Sequence, residues 1–437
     1  MELSVPKVNR LNSFLPIRNK GNEFSWETIS GMVLSALIRK EIKDYGLLQF
    51  QEDCESRFSQ KMIKDGSWEL LKRMYFDSDA IYKVSPLFLL FKSQRESKSG
   101  AEIGTANIRM SELFTHLMGD LSIGTELGDN LNFLEKELLG VLKEKLSTAD
   151  QPVTSEQPYL PYISKAFRRD LEFLAAHPKY LLQELTQVLS LYAFTYSAQL
   201  ALNLREWRKG EPQPRPLYFI LDTESASSER NMVRKYGFYF FKEASERLFP
   251  YLSALEVFQS GEVKIPLWTL YEKACSYTDQ SLLVDALTAY AEQFAEDRNL
   301  NAFYQELTPA GSLDAAFENV LSLAQKQFDD AGSYREDINK KYVKELQSKV
   351  CASFIQSRGR AGRVLVLNQD QLLLLTNMAV GKDRERLRFH ELVEEFQVRG
   401  FFFDNQSQQA LVNFYERMGN AERMSDSGDA VYVRKTI

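Results

Sequence analysis

RGFFFDNQSQQALVNFYERMGNAERMSDSGDAVYVR, residues 399–434, is the stretch on which the reading of the C-terminal region turns. Gly400 suits the residue just past the end of a helix, where a left-handed backbone is wanted. Asp404 is a good N-cap for the next helix, whose apolar stripe is Leu411, Phe414, Tyr415 and Met418. Gly419-Asn420 stops that helix. Asp426-Ser427-Gly428-Asp429 has hairpin-turn chemistry, and Val431 and Val433 alternate with Tyr432 in the period of a half-buried strand. Of the neighbours Phe401 and Phe402, one is expected in the core and the other left for a partner.

Moving upstream, Arg363–Leu367 (RVLVL) reads as a short strand. Helices follow at Gln371–Val380, capped by Asn368 or Asp370, and at Leu387–Val398. Strand, helix, helix, helix and hairpin make the order of a winged helix-turn-helix. Everything before it reads as helical. Ser25 can cap a helix with apolar Ile29, Met32, Val33, Ala36 and Leu37, after an irregular arm over residues 1–25. Further helices are predicted at Cys54–Ile63, Trp68–Phe76, Ser111–Leu117 and Leu131–Leu146, with a polar loop over Lys92–Gly104. STADQPVTSEQP, residues 147–158, reads as a linker. Beyond it a helix starts at Pro178 and runs for more than about 20 residues, apolar on nearly every side. KGEPQPRP (209–216) is an extended connector, and periodicity leaves 216–221 open between a buried strand and the start of a helix. Helical patterns resume at Ser228–Phe258, Leu282–Asp297, Ser312–Phe328 and Ser333–Gln356. The expected fold is therefore mainly α: a multi-helix body followed by a C-terminal winged helix-turn-helix with a small β-hairpin wing. Its expected parts are an N-terminal helical domain (1–146), the linker (147–158), a central helical domain (159–357) and the winged domain (358–437).

The composition is that of an ordinary soluble protein: 437 residues, 44% hydrophobic and 26% charged. With 54 Lys and Arg against 60 Asp and Glu, the net charge of −6 excludes a global commitment to nucleic acid. Three scattered histidines and three scattered cysteines, without CxxC or His spacing, point away from zinc, from any other metal or cofactor, and from a disulfide framework. Sparse cysteine, the lack of an apolar leader after Met1, and apolar runs far below the ~18 residues of a membrane span make a cytoplasmic protein with no membrane association the expectation.

QSRGRAGR (356–363) has the QxxGRxGR form of the helicase arginine motif, but the chain carries no Walker A loop to go with it. The first reading is a basic, Gly-hinged linker; the second is phosphate contact by Arg358, Arg360 and Arg363; the third is an arginine supplied to a partner ATPase. Glu262-Val263-Lys264 has the E-x-K form of some nucleases but no strand bringing an aspartate beside it. No motif supplies a catalytic site, so the chain is expected not to be an enzyme. The last helix presents Gln408, Gln409, Asn413, Glu416 and Arg417 outward, with Arg423, Arg434 and Lys435 on the wing strands. Against them stand Asp426 and Asp429 at the wing tip. From Arg358 onward 12 Lys and Arg meet 11 Asp and Glu, so DNA reading and protein docking remain equally open.

Two stretches, PLYFILDTESASSERNMVRKYGF (216–238) and residues 399–434, resemble the DptG family, an accessory component of bacterial DNA phosphorothioation-dependent restriction systems. The resemblance implies a non-catalytic subunit of an antiviral defence complex. It would act with two ATPase partners, DptF-like and DptH-like, on DNA lacking the phosphorothioate mark. It implies DNA contact either directly or through the complex, and brings no catalytic motif with it. The alternative from another class is a winged-helix transcription regulator whose helical body senses or dimerises; a third is a metal-dependent nuclease with a degenerate motif.

Overall fold

The computed structural model describes residues 14–61, 67–93, 104–149, 157–226, 230–256, 258–259, 264–329, 331–424 and 430–437. The protein is mainly helical, with 18 α-helices and nine short strands among these residues. It forms two compact units. One comprises Glu23–Thr154 with Phe167–Leu191; the other comprises Met1–Asn22, Ser155–Ala166 and Tyr192–Ile437.

The first unit contains α1 (Trp26–Ile38), β1 (Lys40–Ile42), α2 (Leu47–Lys61), α3 (Ser67–Tyr75), α4 (Thr105–Met118), α5 (Phe133–Glu144) and β2 (Leu146–Thr148). Ser25 caps α1 as expected, its side chain accepting from the Thr28 N–H. The buried side of α1 is Ile29, Val33, Leu34, Leu37 and Ile38, while Met32 and Ala36 are only half-buried. Gly31 lies on that side because the 3-10 run Pro86–Ser93 crosses it: a Cβ there would stand 2.4 Å from the Leu89 carbonyl oxygen. Gly31→Ala is therefore expected to destabilise by about 1–3 kcal/mol, the usual cost of overpacking, read as a lower urea midpoint. Asn132 and Glu135 close a capping box on α5. That helix stops at Glu144, short of the predicted Leu146, because Leu146–Thr148 pairs antiparallel with β1, Lys40 opposite Thr148. Ser147 and Thr148, read from sequence as connector, are thus part of a strand.

Helices α6 (Pro161–Ala175) and α7 (Pro178–Asn203) contribute residues to both units. Every residue from Leu191 to Leu204 is buried, as the all-round apolar pattern of α7 requires. The second unit continues with β3 (Tyr218–Leu221), α8 (Asn231–Lys235), α9 (Phe238–Ser245), α10 (Leu248–Leu255), α11 (Leu267–Cys275), α12 (Gln280–Asp297), α13 (Asn301–Glu306), α14 (Leu313–Lys326), α15 (Tyr334–Lys349), β4 (Ile355–Ser357), β5 (Arg363–Leu367), α16 (Gln369–Val380), β6 (Arg386–Arg388), α17 (Phe389–Val398), β7 (Phe402–Phe403), α18 (Asn405–Met418), β8 (Ala421–Met424) and β9 (Ala430–Arg434).

Four strands form a mixed sheet in the order β4-β5-β3-β7. β5 and β7 flank β3 in parallel, Leu221 opposite Leu367 and Phe219 opposite Phe403; β4 pairs antiparallel with β5. The open choice at residues 216–221 resolves as strand. Phe194 of α7 packs on one side, with ring centroids 5.8 Å from Phe219 and 4.3 Å from Phe354. Several expectations change here. The helix predicted over Ser228–Phe258 is three shorter ones, broken before Gly237, whose α-carbon leaves a Cβ only 2.2 Å from the Val233 carbonyl oxygen. The helix predicted to reach Gln356 ends at Lys349, since Ile355 and Gln356 pair with β5. Residues 14–25 are irregular, as expected, while Phe14, Leu15 and Ile17 among them are buried. Met418 is 48% exposed and does not belong to the buried stripe of α18.

Candidate functional site

The last 70 residues organise around a second, three-stranded antiparallel sheet in the order β6-β9-β8, with Leu387 opposite Val433 and Ala421 also opposite Val433 on the other edge. Asn368 and Gln371 form a capping box on α16; Asp404 caps α18, its Oδ1 accepting the Ser407 N–H at 2.9 Å. Leu387, Leu392, Phe396, Leu411, Phe414, Tyr415 and Val433 fill the interior. The Tyr415 hydroxyl and Thr376 Oγ1 satisfy each other at 2.7 Å, which fixes α18 against α16.

The first turn of α18 is held by a buried charge cluster that no sequence pattern announced. Arg230, 4% exposed, donates from Nε to Asp404 Oδ2 at 3.0 Å and from Nη2 to Asp404 Oδ1 at 2.5 Å. Its Nη1 donates to Glu224 Oε1 at 2.8 Å, and Nη2 also reaches the Ser407 hydroxyl at 2.6 Å. Ser407 in turn donates to Glu224, whose Oε2 also accepts the Leu221 N–H at 2.7 Å. Burial alone would push the Asp404 carboxyl up, but the Arg230 guanidinium and the Ser407 N–H hold it below its ordinary value. This fork-to-carboxylate geometry is the strong kind of charge-assisted pairing. It joins residues 216–238 to residues 399–434: β3 and β7 pair, Tyr218 and Phe402 approach to 6.1 Å between ring centroids, and Arg230 clasps Asp404. Phe401 is fully buried, as expected of one of the pair, and Phe402 is half-buried, with Tyr218 covering part of it.

Arg358 and Arg360 lie in the turn between β4 and β5 and Arg363 opens β5 opposite Ser357, so the segment is the end of a hairpin within the mixed sheet and not a free linker. Arg358 donates from its backbone to Gly362 O at 2.8 Å and from Nη2 to the Asp222 carbonyl at 2.6 Å, which turns its side chain inward. Arg363 is exposed, 5.7 Å from the Phe238 ring centroid. Arg360 is in the same turn; its side chain lies outside the described residues.

On α18, Gln408 is not outward as predicted: it is half-buried and donates to the Phe403 carbonyl at 2.9 Å. Gln409 donates to Asn413 across one turn at 3.3 Å, and both are exposed. The basic residues of the wing strands are mostly engaged by the chain itself. Arg423 pairs with Glu416 at 2.6 Å, Arg434 with Glu422, and Lys435 with Glu385 at 3.7 Å. Glu422 also accepts from Arg386 at 2.5 Å. Arg417 is exposed and, among the described residues, makes no ion pair. The predicted tip residues Asp426 and Asp429 lie outside the described residues, as does Glu262; Lys264 stands 3.8 Å from Glu256. Among the described residues no group of three His, Cys, Asp or Glu is placed to hold a metal ion, and no helix is long and apolar enough to cross a membrane.

Among the described residues, then, the exposed side of α18 offers Gln409, Asn413 and Arg417 beside Met418, with Glu416 taken up by Arg423. A phosphate-backbone reader needs several free cations, since affinity follows the number of phosphates neutralised. Arg230, Glu224 and Ser407 were missed because an arginine in a polar stretch gives no local signal of a partner about 174 residues away. The chain matches no protein-family model and no curated protein.

Proposed function

We propose that residues 369–437 are a winged helix-turn-helix used to dock on protein, and that the chain is a non-catalytic subunit of a phosphorothioation-dependent restriction complex. In this reading it works beside DptF-like and DptH-like ATPase subunits on DNA lacking the mark, reaching DNA through the complex. The order helix, strand, helix, strand, helix, strand, strand, with β6 paired to β9, supports the winged-helix reading, although β7 pairs with β3 and the strand 363–367, expected to open the module, lies in the mixed sheet. The observation that carries docking over DNA reading is the self-pairing of the wing: Arg423, Arg434 and Lys435 each face a glutamate of the same module. A cation already paired gains little by exchanging its carboxylate for a phosphate. Exposed amides and an apolar Met418 are what a protein interface uses.

The test is co-purification. Replacing Gln409, Asn413 and Arg417 together with Ala is expected to leave stability within about 0.5 kcal/mol, as for exposed sites. It should cut capture of the ATPase subunits by about tenfold or more, the effect of losing about 1.4 kcal/mol at an interface. Replacing Arg423 and Arg434 should change capture little. A chain that purifies alone, takes no ATPase and binds one palindromic duplex tightly with a steep salt dependence overturns the proposal in favour of a regulator.

A further inference from the structure

Trp207, in the 3-10 turn that follows α7, is 2% exposed, yet its indole N–H makes no hydrogen bond among the described residues. Asn203, the last residue of α7, is 3% exposed. Its Nδ2 donates to the Gln199 carbonyl at 2.9 Å and to the Tyr162 hydroxyl at 3.5 Å, but its Oδ1 accepts nothing among the same residues. Both side chains line a cavity of about 280 Å³. Polar groups on buried side chains are nearly always paired, so this donor and this acceptor are left to be satisfied from the cavity.

The rest of the wall is apolar and held in place. Pro212, Pro214 and Pro216 line it from the connector that leads to β3, together with Trp268 of α11, whose own N–H is already taken by the Tyr159 carbonyl at 3.1 Å. The connector is pinned: the Gln199 side chain accepts from the Arg215 N–H at 2.8 Å and donates to the Arg215 carbonyl at 2.9 Å. The Trp207 ring is fixed by Tyr271 and Phe317, with centroids at 4.7 and 5.6 Å. A site built of such rigid pieces loses little freedom on binding.

Its charges narrow the occupant. Among the lining residues Glu206 and Glu211 balance Lys209 and Arg215, and both cations are already on Glu206, at 2.6 and 2.7 Å. Glu272 adds a carboxylate beside Gly210, its Oε1 3.0 Å from where a Cβ would stand. A phosphate therefore finds no unpaired cation among these residues. A neutral group that offers a carbonyl to the indole and an N–H to the amide oxygen fits, and the peptide unit carries both. Polyproline II leaves its backbone groups unpaired within the chain, and aromatic-lined grooves take it at low entropic cost.

We propose that Asn203, Trp207, Trp268 and residues 212–216 form a docking pocket for an extended, proline-bearing segment of a protein partner. The Trp207 N–H donates to a peptide carbonyl of that segment, and Asn203 Oδ1 accepts from a peptide N–H. The pocket lies outside residues 369–437 and does not depend on their reading.

The probe is a blocked octapeptide of alternating alanine and proline, titrated calorimetrically into the full chain. Saturable binding is expected. Octaproline, which has no backbone N–H for Asn203, should bind about tenfold more weakly, and so should a blocked glycine–serine octapeptide, which must be ordered on binding. Trp207→Phe keeps a ring but deletes the donor, and should weaken binding of the alanine–proline peptide by about 3- to 10-fold. Asn203→Ala should do the same and should also bring octaproline level with the alanine–proline peptide, which a merely structural role would not do. If a variant fails to fold, the comparison of the three peptides on the unaltered chain still decides. No saturable heat with the alanine–proline peptide, equal affinity for all three peptides, affinity unchanged in both variants, or saturable binding of AMP in place of peptide overturns the proposal.

Discussion

Arg230→Ala is expected to lower the stability of the folded chain by about 3–5 kcal/mol, the cost of leaving buried carboxylates without their cation. The side chains of Arg230, Glu224 and Asp404 are only 3%, 8% and 14% exposed, so water cannot take over the lost contacts. Arg230→Lys restores a charge but not the fork that binds Asp404 through two nitrogens while reaching Glu224 and Ser407, and should recover only part of the loss. The pH dependence has a definite sign. Asp404 titrates below its ordinary value in the folded chain, so its contribution is complete above the ordinary carboxylate range and disappears as pH falls through the depressed value. The gap between wild type and Arg230→Ala, measured by urea unfolding, should therefore be widest near neutrality and narrow in acid, where the stranded carboxyls of the variant become neutral. An equal gap at pH 7 and at pH 3.5 would show that the cluster does not carry this stability.

Leu411→Ala is expected to cost about 2–5 kcal/mol. Leu411 is 0% exposed on the same side of α18 as Phe414 and Tyr415, and truncation leaves a void that these rings, held by Thr376 and the neighbouring sheet, are poorly placed to fill. The substitution separates fold from interface. It should reduce partner capture only in proportion to unfolding, whereas the Gln409, Asn413 and Arg417 variant should reduce capture with the unfolding midpoint unchanged. A loss below about 1 kcal/mol would mean that α18 is not seated by its apolar side.

What could be read from the residues was what is local. Ser25, Asn368 and Asp404 cap helices as expected, because a cap is decided within four residues. Arg363–Leu367 is a strand with the bounds expected of it, marked by four apolar residues after an arginine. What escaped were pairings set by distant partners. Strand β7 is two residues long and is a strand only because Tyr218 and Phe219 lie beside it. Ile355 and Gln356 continue a helical pattern until β5 captures them. Met418 fits the periodicity of α18 but falls in its last turn, beyond the reach of the core. The candidate site shows the same division. Gln409, Asn413 and Arg417 were identified as outward by spacing alone, whereas the engagement of Gln408 by the Phe403 carbonyl and the clasp of Arg230 on Asp404 depend on tertiary approach.

The parentage of the mixed sheet sets the timing of folding. Its centre strand is residues 218–221, and its two parallel neighbours come from 363–367 and 402–403. Nothing can pair with the centre strand until roughly 140 further residues have been made. Closing a loop of that length is costlier than closing one of about 20 residues by about 1.7 kcal/mol, from the (3/2)RT ln n dependence. The intervening helices form from local contacts and should do so first, which shortens the effective loop before the sheet closes. During synthesis, Phe219, Ile220 and Leu221 consequently remain an unpaired apolar edge for roughly a third of translation, and they become a natural recognition site for chaperones until Arg230 can close on Asp404.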